Sequence, residues 1–522
     1  MFVGRELSLP LDSFRFVAVR APSMSPELLE HVHPDVRLRR AALADRENAY
    51  SLWAEAAAHL APFEIAEYDE FESRACESQQ DLGYWLPEGA VRAKLRDQIE
   101  HNRRALETAN LGLSLGRFQW PEPRGMEYFA EDTALVDFFR PLARIRDFKA
   151  RLHASCGEFG QAARELTNSL RTAELALDGD GIIVTYLVGI ACHGSALASM
   201  RGLARLAGAP PAAIAQMLVT VNRGWQGAEA LAQSIRTDFH YYFVKRLESL
   251  SACDRLEALV DALLKGFYSD APISWDEQPP GPHPDGRSAW RRQRLLELLA
   301  GHPAPFDAGS TISASSHELA DLVHRSDAPW RAGRERSAEE RLLPEEHWPA
   351  QLSPDFPYEL LGPGPEARKA VEELLELTQE DDGSLSNLAD LARHWQAPDG
   401  AALATARENL RRLDNPVGRL LAQSEIGVLP NCVDLLFRTR ALREATKAVL
   451  ALRLYQIQRG RLPDDLESLV EVGLLAAVPA DPFADRPLGY SRERAVVWSV
   501  GPDGALEGGE PPSNLVWSVS GA

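Results

Sequence analysis

The sequence predicts a mainly helical protein, built from antiparallel helical hairpins, that ends in a small α+β module. Apolar residues recur at helical spacing through most of the 522 residues, and strand-like runs are confined to the region after residue 485. A chain of this length exceeds the size at which one hydrophobic core stops growing. We therefore expect four regions: a helical body over 1–275, Pro/Gly-rich loops and short helices over 276–365, a helical continuation over 366–435 and the α+β module over 436–522.

The composition is that of an acidic globular protein. Lys and Arg total 56 against 76 Asp and Glu, which gives a net charge of −20. Such a surface repels phosphate backbones and anionic headgroups, and no basic stripe stands out along the sequence to offset this repulsion. We therefore expect protein partners and no nucleic acid. The five cysteines are far apart, without the C-x-x-C pair that would indicate zinc or redox chemistry.

Residues 182–200 form an apolar run that has to be weighed as a membrane span. The run contains no charged residue, and its length approaches the roughly 20 residues that a bilayer requires. However, small and polar residues such as Thr185, His193 and Ser195 interrupt it. We therefore predict a buried helix in a water-soluble body and no membrane span within this chain. The first residues also lack the basic region and apolar core of a secretory signal.

Residues 142–177 have the pattern of two helices joined by a short turn. Gly157, Phe159 and Ala162 in this stretch resemble the middle of a tetratricopeptide repeat, in which a turn glycine, an aromatic residue and a small residue allow two helices to approach closely. A repeat array needs neighbouring units to bury its faces, and one reasonable unit is found. The pattern therefore predicts a helical hairpin and leaves a repeat array unsupported.

The C-terminal region has the clearest order of elements. Apolar residues at helical spacing run from Leu442 to Tyr455, and Gly460 followed by Pro463 ends this helix. A second, short helix is predicted to begin near Asp464. Strands are then predicted over 487–491, 495–500 and 514–519, with a Gly-Pro-Asp-Gly turn at 501–504.

This order resembles the globular part of the major pseudopilins of type II secretion systems. Those proteins share a long helix, a G-x-x-P sequence, a short helix, a D-P-F or D-P-W sequence, and strands that close on a W-S-x-G-x-D-G turn. The resemblance is confined to the C-terminal module and implies a pilin-derived fold there. The matching residues are Gly460, Pro463, Asp481, Pro482, Phe483, Trp498, Ser499, Gly501, Asp503 and Gly504.

The whole chain also resembles an uncharacterised family of bacterial envelope proteins that carry this module after a helical body. The stretches ADRENAYSLWAEAA, YLVGIACHGSALASMRGLARLAG and NPVGRLL support the resemblance. Such relatives usually begin with a membrane anchor, which is not recognised in this chain, and neither is the prepilin cleavage site that a pilin needs. The resemblance implies a location in the cell envelope, on the outward-facing side of the inner membrane. A cytoplasmic location is the alternative.

The pseudopilin resemblance also implies a possible calcium site, because that module commonly binds calcium between its last strands. Calcium prefers several oxygen ligands, mostly carboxylates and carbonyls. The corresponding loop offers Asp503, Glu507, Glu510 and Asn514. Two aspartates often found late in this loop are replaced by other residues in the sequence Pro512-Ser513-Asn514. With fewer anionic ligands, we expect at most weak calcium binding, and no other cofactor is expected.

One short sequence matches the G-x-S-x-G pattern of serine hydrolases, with Ser114 at its centre between Gly112 and Gly116. This pattern supports catalysis only at a sharp turn from a strand into a helix, where the hydroxyl is exposed beside an oxyanion hole. Here it follows a predicted helix and leads into a polar and aromatic stretch. We therefore predict a helix-ending loop rather than a nucleophile.

A second pattern could indicate a metal site. His317, Asp321 and His324 would share one helix face at i, i+4 and i+7, and three such ligands plus a water could hold zinc. The simpler interpretation is the polar face of a surface helix, since no H-E-x-x-H sequence supplies a base. His31 and His33, which flank a valine, are interpreted as loop residues.

No convincing set of catalytic residues emerges from these patterns. Our leading hypothesis is a noncatalytic, envelope-associated scaffold or binding protein. The alternatives are a cytoplasmic helical-repeat adaptor that binds peptides in a groove, and a hydrolase with an unrecognised site. A concave groove lined by polar and aromatic side chains would favour the adaptor. A deep pocket with converging carboxylates or histidines would favour the hydrolase.

Overall fold

The fold is given by a computed structural model of the chain. It describes residues 26–38, 43–62, 65, 84–120, 136–267, 296, 299–330, 415–426, 429–484, 486–502, 504 and 515–519. These residues are mainly helical, and short antiparallel strands lie near the C-terminus, so the predicted fold class is confirmed at this level. The numbered helices are α1 (Pro26–Glu30), α2 (Tyr50–Ala58), α3 (Gly89–His101), α4 (Arg103–Leu115), α5 (Val136–Ser155), α6 (Phe159–Leu177), α7 (Ile183–Arg205), α8 (Pro211–Val221), α9 (Gly227–Asp238), α10 (Val244–Ser251), α11 (Leu256–Phe267), α12 (Ala308–Asp327), α13 (Pro416–Ile426), α14 (Leu429–Arg459) and α15 (Glu467–Glu471).

The strands form two small antiparallel sheets. In the first, β1 (Ala480–Asp481) pairs with β2 (Arg486–Pro487). In the second, β3 (Gly489–Ser491), β4 (Val496–Ser499) and β5 (Leu515–Ser518) lie side by side in chain order. The longest described strands therefore lie after residue 485, where the sequence predicts strands.

Helices α5, α6 and α7 form two consecutive antiparallel hairpins that build the centre of the body. The turn between α5 and α6 contains Gly157 at a φ of 78°, a left-handed conformation that a glycine adopts without steric cost. Ala162 and Ala163 of α6 are fully buried, which lets the helices pack closely. The predicted hairpin over 142–177 is thus confirmed, while a tetratricopeptide array stays unsupported.

Helix α7 coincides with the apolar run at 182–200, and it packs against α5, α6, α9 and α14. Among the described helices, it is the one long and apolar enough to cross a bilayer; the mean hydropathy of its apolar window is 1.5, and 67% of that window is buried inside the protein. Burial of this helix agrees with the prediction. Its exposed residues are Val184, Ala191, Ser195 and Ala198.

Helix α14 joins the body to the C-terminal module, because its 31 residues belong to both. Leu436 and Phe437 in its first half pack with Phe483 and with the body helices α9, α12 and α13. Val449 and Leu452 in its second half share a core with α7 and with the strands. The expected boundary at residue 436 therefore falls inside a continuous helix, and the range 276–365 includes the 20-residue helix α12.

Asp481 organises the C-terminal module. The residue is 2% exposed, and its carboxylate accepts hydrogen bonds from Ser499 Oγ (2.7 Å), Val500 N (2.9 Å) and Phe483 N (3.0 Å). The bonds connect the turn after β1 to the end of β4. Buried carboxylates are stable only when such donors satisfy them. Several residues that carry the pseudopilin resemblance therefore meet at one point in the structure.

A close approach between two strands requires glycine at position 489. A Cβ there would lie 2.1 Å from the indole of Trp498, its cross-strand partner on β4. The segment that follows α12 also contributes, since Trp330 Nε1 donates to the Pro502 carbonyl (3.2 Å). The module is thus held by both local pairing and long-range contacts with the helical body.

Candidate functional site

The residues expected to bind calcium, namely Asp503, Glu507, Glu510 and Asn514, lie outside the described residues. Weak calcium binding therefore stays a prediction.

The G-x-S-x-G sequence lies within the described residues. It forms the last turn of α4 rather than a loop, and Gly116 follows at a φ of 69°. Ser114 Oγ donates back to the Leu111 carbonyl (2.6 Å), as is common for a serine inside a helix. This geometry is unlike the exposed nucleophile turn of a hydrolase.

The histidines of α12 have separate partners. His324 Nε2 lies 3.1 Å from Asp35 Oδ2, and Asp321 pairs with Arg325 on the same helix. His317 forms an edge-to-face ring contact with His33, so the N-terminal segment around residue 33 packs on α12. Within the part of the chain that the structure describes, no group of three or more His, Cys, Asp or Glu is arranged to hold a metal ion.

A groove between α5, α7 and β5 is the strongest candidate site, and we call it the arginine groove. Its cavity volume is about 620 Å³, within the range of small-ligand sites. Helices α5 and α7 form its long sides, and β5 borders it. The lining residues are Tyr84, Arg140, Ala143, Arg144, Asp147, Arg151, Ala191, Cys192, Ser195, Ala198, Ser199, Arg201, Gly202, Arg205, Val516, Trp517 and Ser518.

Helical periodicity explains why these residues share one groove. Arg140, Arg144 and Arg151 recur at i, i+4 and i+11 on α5, which places them on one helix face. On α7, residues 191, 195, 198 and 202 recur in the same way, and all four are Ala, Ser or Gly. Small side chains on this face leave space above the helix. The exposed part of the apolar helix α7 is therefore largely the floor of the groove.

One end of the groove is ordered around Arg151. Its Nε donates to Asp147 Oδ2 (2.6 Å), its Nη1 donates to the Trp85 carbonyl (2.9 Å), and its guanidinium carbon lies 4.2 Å from the centre of the Tyr84 ring. The Tyr84 ring lies directly on α7, because a Cβ at Gly202 would come within 2.4 Å of it. These contacts fix the guanidinium in place and neutralise part of its charge.

The charge of the groove is opposite to that of the whole protein. Its described lining carries five arginines and one aspartate, whereas the chain has a net charge of −20. A cleft lined by one sign of charge concentrates counter-ions of the other sign. Guanidinium groups also bind carboxylates and phosphates through paired hydrogen bonds. The groove therefore has the chemistry of an anion-binding site.

Cys192 lies on the floor of the groove, and burial raises the pKa of its thiol to about 12, although the nearby Arg140 acts in the opposite direction. The reactive form of cysteine is the thiolate. Since this thiol stays protonated at neutral pH, Cys192 is an inert buried cysteine rather than a nucleophile.

A buried polar cluster lies on the opposite side of α7 and connects it to α14. Arg443 Nη1 donates to Glu174 Oε1 (2.6 Å) and to His193 Nε2 (3.0 Å), and Arg443 Nη2 donates to the Arg223 carbonyl (2.9 Å). The His193 ring stacks on Trp225 with the ring centres 4.7 Å apart. Arg443 is 3% exposed and His193 is fully buried, so these contacts are shielded from water.

The partners of His193 determine its protonation. Arginine can only donate, so Nε2 must accept and the proton of the neutral ring lies on Nδ1. Nδ1 is buried and has no hydrogen-bond partner among the described residues. Burial, reinforced by the positive charge of Arg443, lowers the pKa of His193 well below its usual 6.5. The same burial raises the pKa of Glu174, and Arg443 opposes that shift.

Acid should therefore destabilise the protein through His193. Below the unfolded pKa of about 6.5, the unfolded chain binds a proton that the folded ring still excludes, so stability falls as pH falls, by up to about 1.4 kcal/mol per pH unit. Denaturant titrations between about pH 7.5 and pH 5 measure this slope. His193→Phe, which preserves ring stacking, should reduce the slope. Equal slopes in the wild type and in this variant would contradict the assignment.

The arginine groove was not predicted from the sequence. The signal was present as arginines at helical spacing on α5 and the pair Arg201 and Arg205 on α7. The two sets are about fifty residues apart and combine only when the hairpins pack, so neither forms a basic stripe along the sequence.

Comparison of the chain with protein-family models, with curated proteins and with solved structures finds no match.

Proposed function

We propose that this chain is a noncatalytic binding protein whose arginine groove takes an anionic ligand. The observation that carries the proposal is the concentration of five arginines around a cavity of about 620 Å³ in a protein of net charge −20. Arginines that face a shared cavity repel one another, and an anion relieves that repulsion. A bound anion therefore gains both charge pairing and directed hydrogen bonds.

The chemistry of the lining favours binding over turnover. General acid–base catalysis needs a group that exchanges protons near neutral pH, most often histidine or a carboxylate. The described lining includes no histidine, and its carboxylate, on Asp147, is paired with Arg151. Cys192 is held as a neutral thiol. The hydrolase hypothesis, which requires converging carboxylates or histidines, is therefore less well supported than the binding hypotheses.

The pseudopilin resemblance adds an envelope location and a scaffold role to the proposal. The C-terminal module contributes β5 to the groove, so ligand binding and the module are physically connected. In this proposal the module positions the binding body within an assembly on the outward-facing side of the inner membrane. The cytoplasmic adaptor is the second candidate, favoured by a groove lined with polar and aromatic side chains.

Calorimetric titration of the full chain with tripolyphosphate, a linear polyanion, tests the proposal. We expect saturable binding that weakens as salt screens the charges. The double substitution Arg140→Gln with Arg144→Gln should weaken binding by at least about tenfold, since each charged hydrogen bond contributes roughly 1.5–3 kcal/mol. The tripolyphosphate should be recovered intact.

The matched control is Arg164→Gln, which removes an exposed arginine of α6 that does not line the groove. This variant should bind as the wild type does, and thermal melts should show that every variant is folded. Absence of binding to the wild type, or an equal loss in the control, would contradict the proposed site. Release of orthophosphate would contradict the noncatalytic assignment.

A further inference from the structure

We infer that the loop at 222–226, which we call the Trp225 loop, is an acid-sensitive cover over the buried cluster of His193 and Arg443. The loop stays closed while His193 is neutral and opens when the ring takes up a proton. This inference goes beyond the proposed function and does not rest on it, because the cluster and the arginine groove share no described residue. It follows from how the loop is attached and from the atom that a proton would bind.

The Trp225 loop joins α8 to α9 at the protein surface. Its residues other than the tryptophan are exposed: Asn222, Arg223, Gly224 and Gln226. The Trp225 ring is partly buried, stacks on His193 and lies on the start of α9, where a Cβ at Gly227 would come within 2.5 Å of it. The Arg223 carbonyl accepts a hydrogen bond from Arg443 Nη2 (2.9 Å). The stacked ring and this hydrogen bond therefore tie a largely exposed segment to the buried cluster.

Two buried N–H groups make the closed loop less favourable than its packing alone would make it. His193 Nδ1 and Trp225 Nε1 are both buried and have no hydrogen-bond acceptor among the described residues. A buried donor without an acceptor costs free energy that contact with water recovers. Opening of the loop gives both groups to water, which offsets part of the ring contact that is lost. A change at His193 can therefore shift the balance between the closed and the open loop.

A proton and the hydrogen bond from Arg443 compete for one atom of His193. The proton of the neutral ring lies on Nδ1, so a second proton must bind Nε2, which accepts from Arg443 Nη1 (3.0 Å). Protonation therefore breaks this bond and places an imidazolium beside a guanidinium in a site closed to water. Separation of the two charges requires Arg443 to move, and Arg443 also holds the loop through the Arg223 carbonyl.

The charged groups around the ring determine the direction of the response. Glu174 Oε1 lies 3.9 Å from His193 Nε2 and favours a charged ring, but it is already bound by Arg443 (2.6 Å). Arg223 and Arg171 add positive charge that also acts on Glu174. Burial, and then Arg443, lower the pKa of the closed His193 well below 6.5. A lowered pKa means that the closed state is favoured at neutral pH and loses this advantage as the pH falls.

Asp178, which follows α6, titrates in the same range with the opposite effect. Burial, and then the neighbouring carboxylates Glu174 and Asp180, raise the pKa of Asp178 to about 6. Because this pKa is higher in the folded chain than in the unfolded one, protonation of Asp178 stabilises the folded chain as the pH falls. An opening of the loop in acid therefore has to come from His193.

The expected size of the response follows from the protonation equilibrium. If the closed ring excludes the proton and the open ring has an ordinary pKa of about 6.5, the ratio of open to closed loop rises by a factor of about 1 + 10^(6.5 − pH). This factor is about 1.1 at pH 7.5 and about 11 at pH 5.5. The open fraction should therefore rise about tenfold between these two pH values.

Solvent exchange of the Trp225 indole N–H tests the inference, since this group is buried only while the loop is closed. Exchange is followed by nuclear magnetic resonance on the full chain with isotope-labelled tryptophan, and Trp225→Phe identifies the resonance. After correction for the pH dependence of exchange in free tryptophan, the rate should rise about tenfold from pH 7.5 to pH 5.5. Low concentrations of urea should leave it nearly unchanged, because opening of a loop exposes little surface.

Trp53 is the internal reference, because its Nε1 is buried and donates to the Ala109 carbonyl (3.1 Å) in the contact between α2 and α4. Its indole N–H should exchange more slowly than that of Trp225. If the two rates are equal and depend equally on urea, the Trp225 ring is exposed only by global unfolding, and the inference is overturned. A Trp225 rate that stays constant down to pH 5.5 overturns it as well. Both outcomes are read from the wild type alone.

His193→Phe separates His193 from the other titrating groups. This variant preserves the stacked ring and retains Glu174 and Asp178, but its ring takes up no proton. The acid-induced rise in Trp225 exchange should therefore be absent from it. A rise of the same size in His193→Phe as in the wild type would assign the opening to another group and overturn the inference.

Discussion

Replacing Arg443 with methionine should lower the free energy of unfolding by about 3–5 kcal/mol. Arg443 is the donor that satisfies Glu174, His193 and the Arg223 carbonyl in a site closed to water. Removing one partner of a buried ion pair leaves the other charge without compensation, and that cost exceeds the value of the pair itself. Methionine fills a similar volume, so the expected loss reflects charge and hydrogen bonding rather than a cavity.

Denaturant titration of the full chain measures the change at Arg443. Arg438→Met, at an exposed position of the same helix, is the matched control and should change stability by less than about 0.5 kcal/mol. Adding Glu174→Gln to the Arg443 variant should restore part of the loss, because it removes the uncompensated charge. A loss of similar size in both single arginine variants would show that the buried cluster does not have the stabilising role assigned to it.

Asp481→Ala should lower the free energy of unfolding by roughly 2–5 kcal/mol, the second largest effect that we expect. The substitution leaves Ser499 Oγ and the backbone N–H groups of Phe483 and Val500 buried without their acceptor. Each unsatisfied donor costs about 1–3 kcal/mol, and local relaxation reduces the sum. Asp481→Asn should cost less, because its amide oxygen can still accept some of these bonds.

The loss of stability in Asp481→Ala should extend beyond the strands, because α14 contributes to hydrophobic cores that the module and the body share. Thermal melts followed by circular dichroism at helical wavelengths should therefore shift to lower temperature in Asp481→Ala. Glu471→Ala, an exposed carboxylate of the same module, should leave the melting temperature unchanged. An unchanged melt in Asp481→Ala would mean that the D-P-F turn is not a structural centre of the module.

The C-terminal module could be predicted from sequence because its signals are local. Gly460, Pro463 and the Gly-Pro-Asp-Gly turn each interrupt a pattern within a few residues, and the run at 495–500 is rich in valine and tryptophan, which favour strands. The hairpin turn at Gly157 was predictable for the same reason. The start of α15 was predicted less exactly: the helix begins at Glu467 rather than near Asp464, and Asp465 accepts the hydrogen bond from Ser468 N.

The candidate site could not be predicted because it forms where segments far apart in the sequence pack together. Its walls come from residues 140–151, 191–205 and 516–518, and no spacing rule relates such separate segments. His193 is a similar case. In sequence it reads as a polar interruption of an apolar run, and its partner Arg443 comes 250 residues later. The net charge of −20 is a sum over the whole chain, so it gave no sign of the local cluster of positive charge in the arginine groove.

Hydrogen–deuterium exchange of the full chain, with and without saturating tripolyphosphate, tests the central claim most directly, because it locates the bound anion. Ligand binding slows exchange where it stabilises the local structure. We predict added protection in Val136–Ser155, Ile183–Arg205 and Leu515–Ser518, and no such protection in the variant Arg140→Gln with Arg144→Gln. Protection confined to other helices, or retained in that variant, would contradict an anion-binding site in the arginine groove.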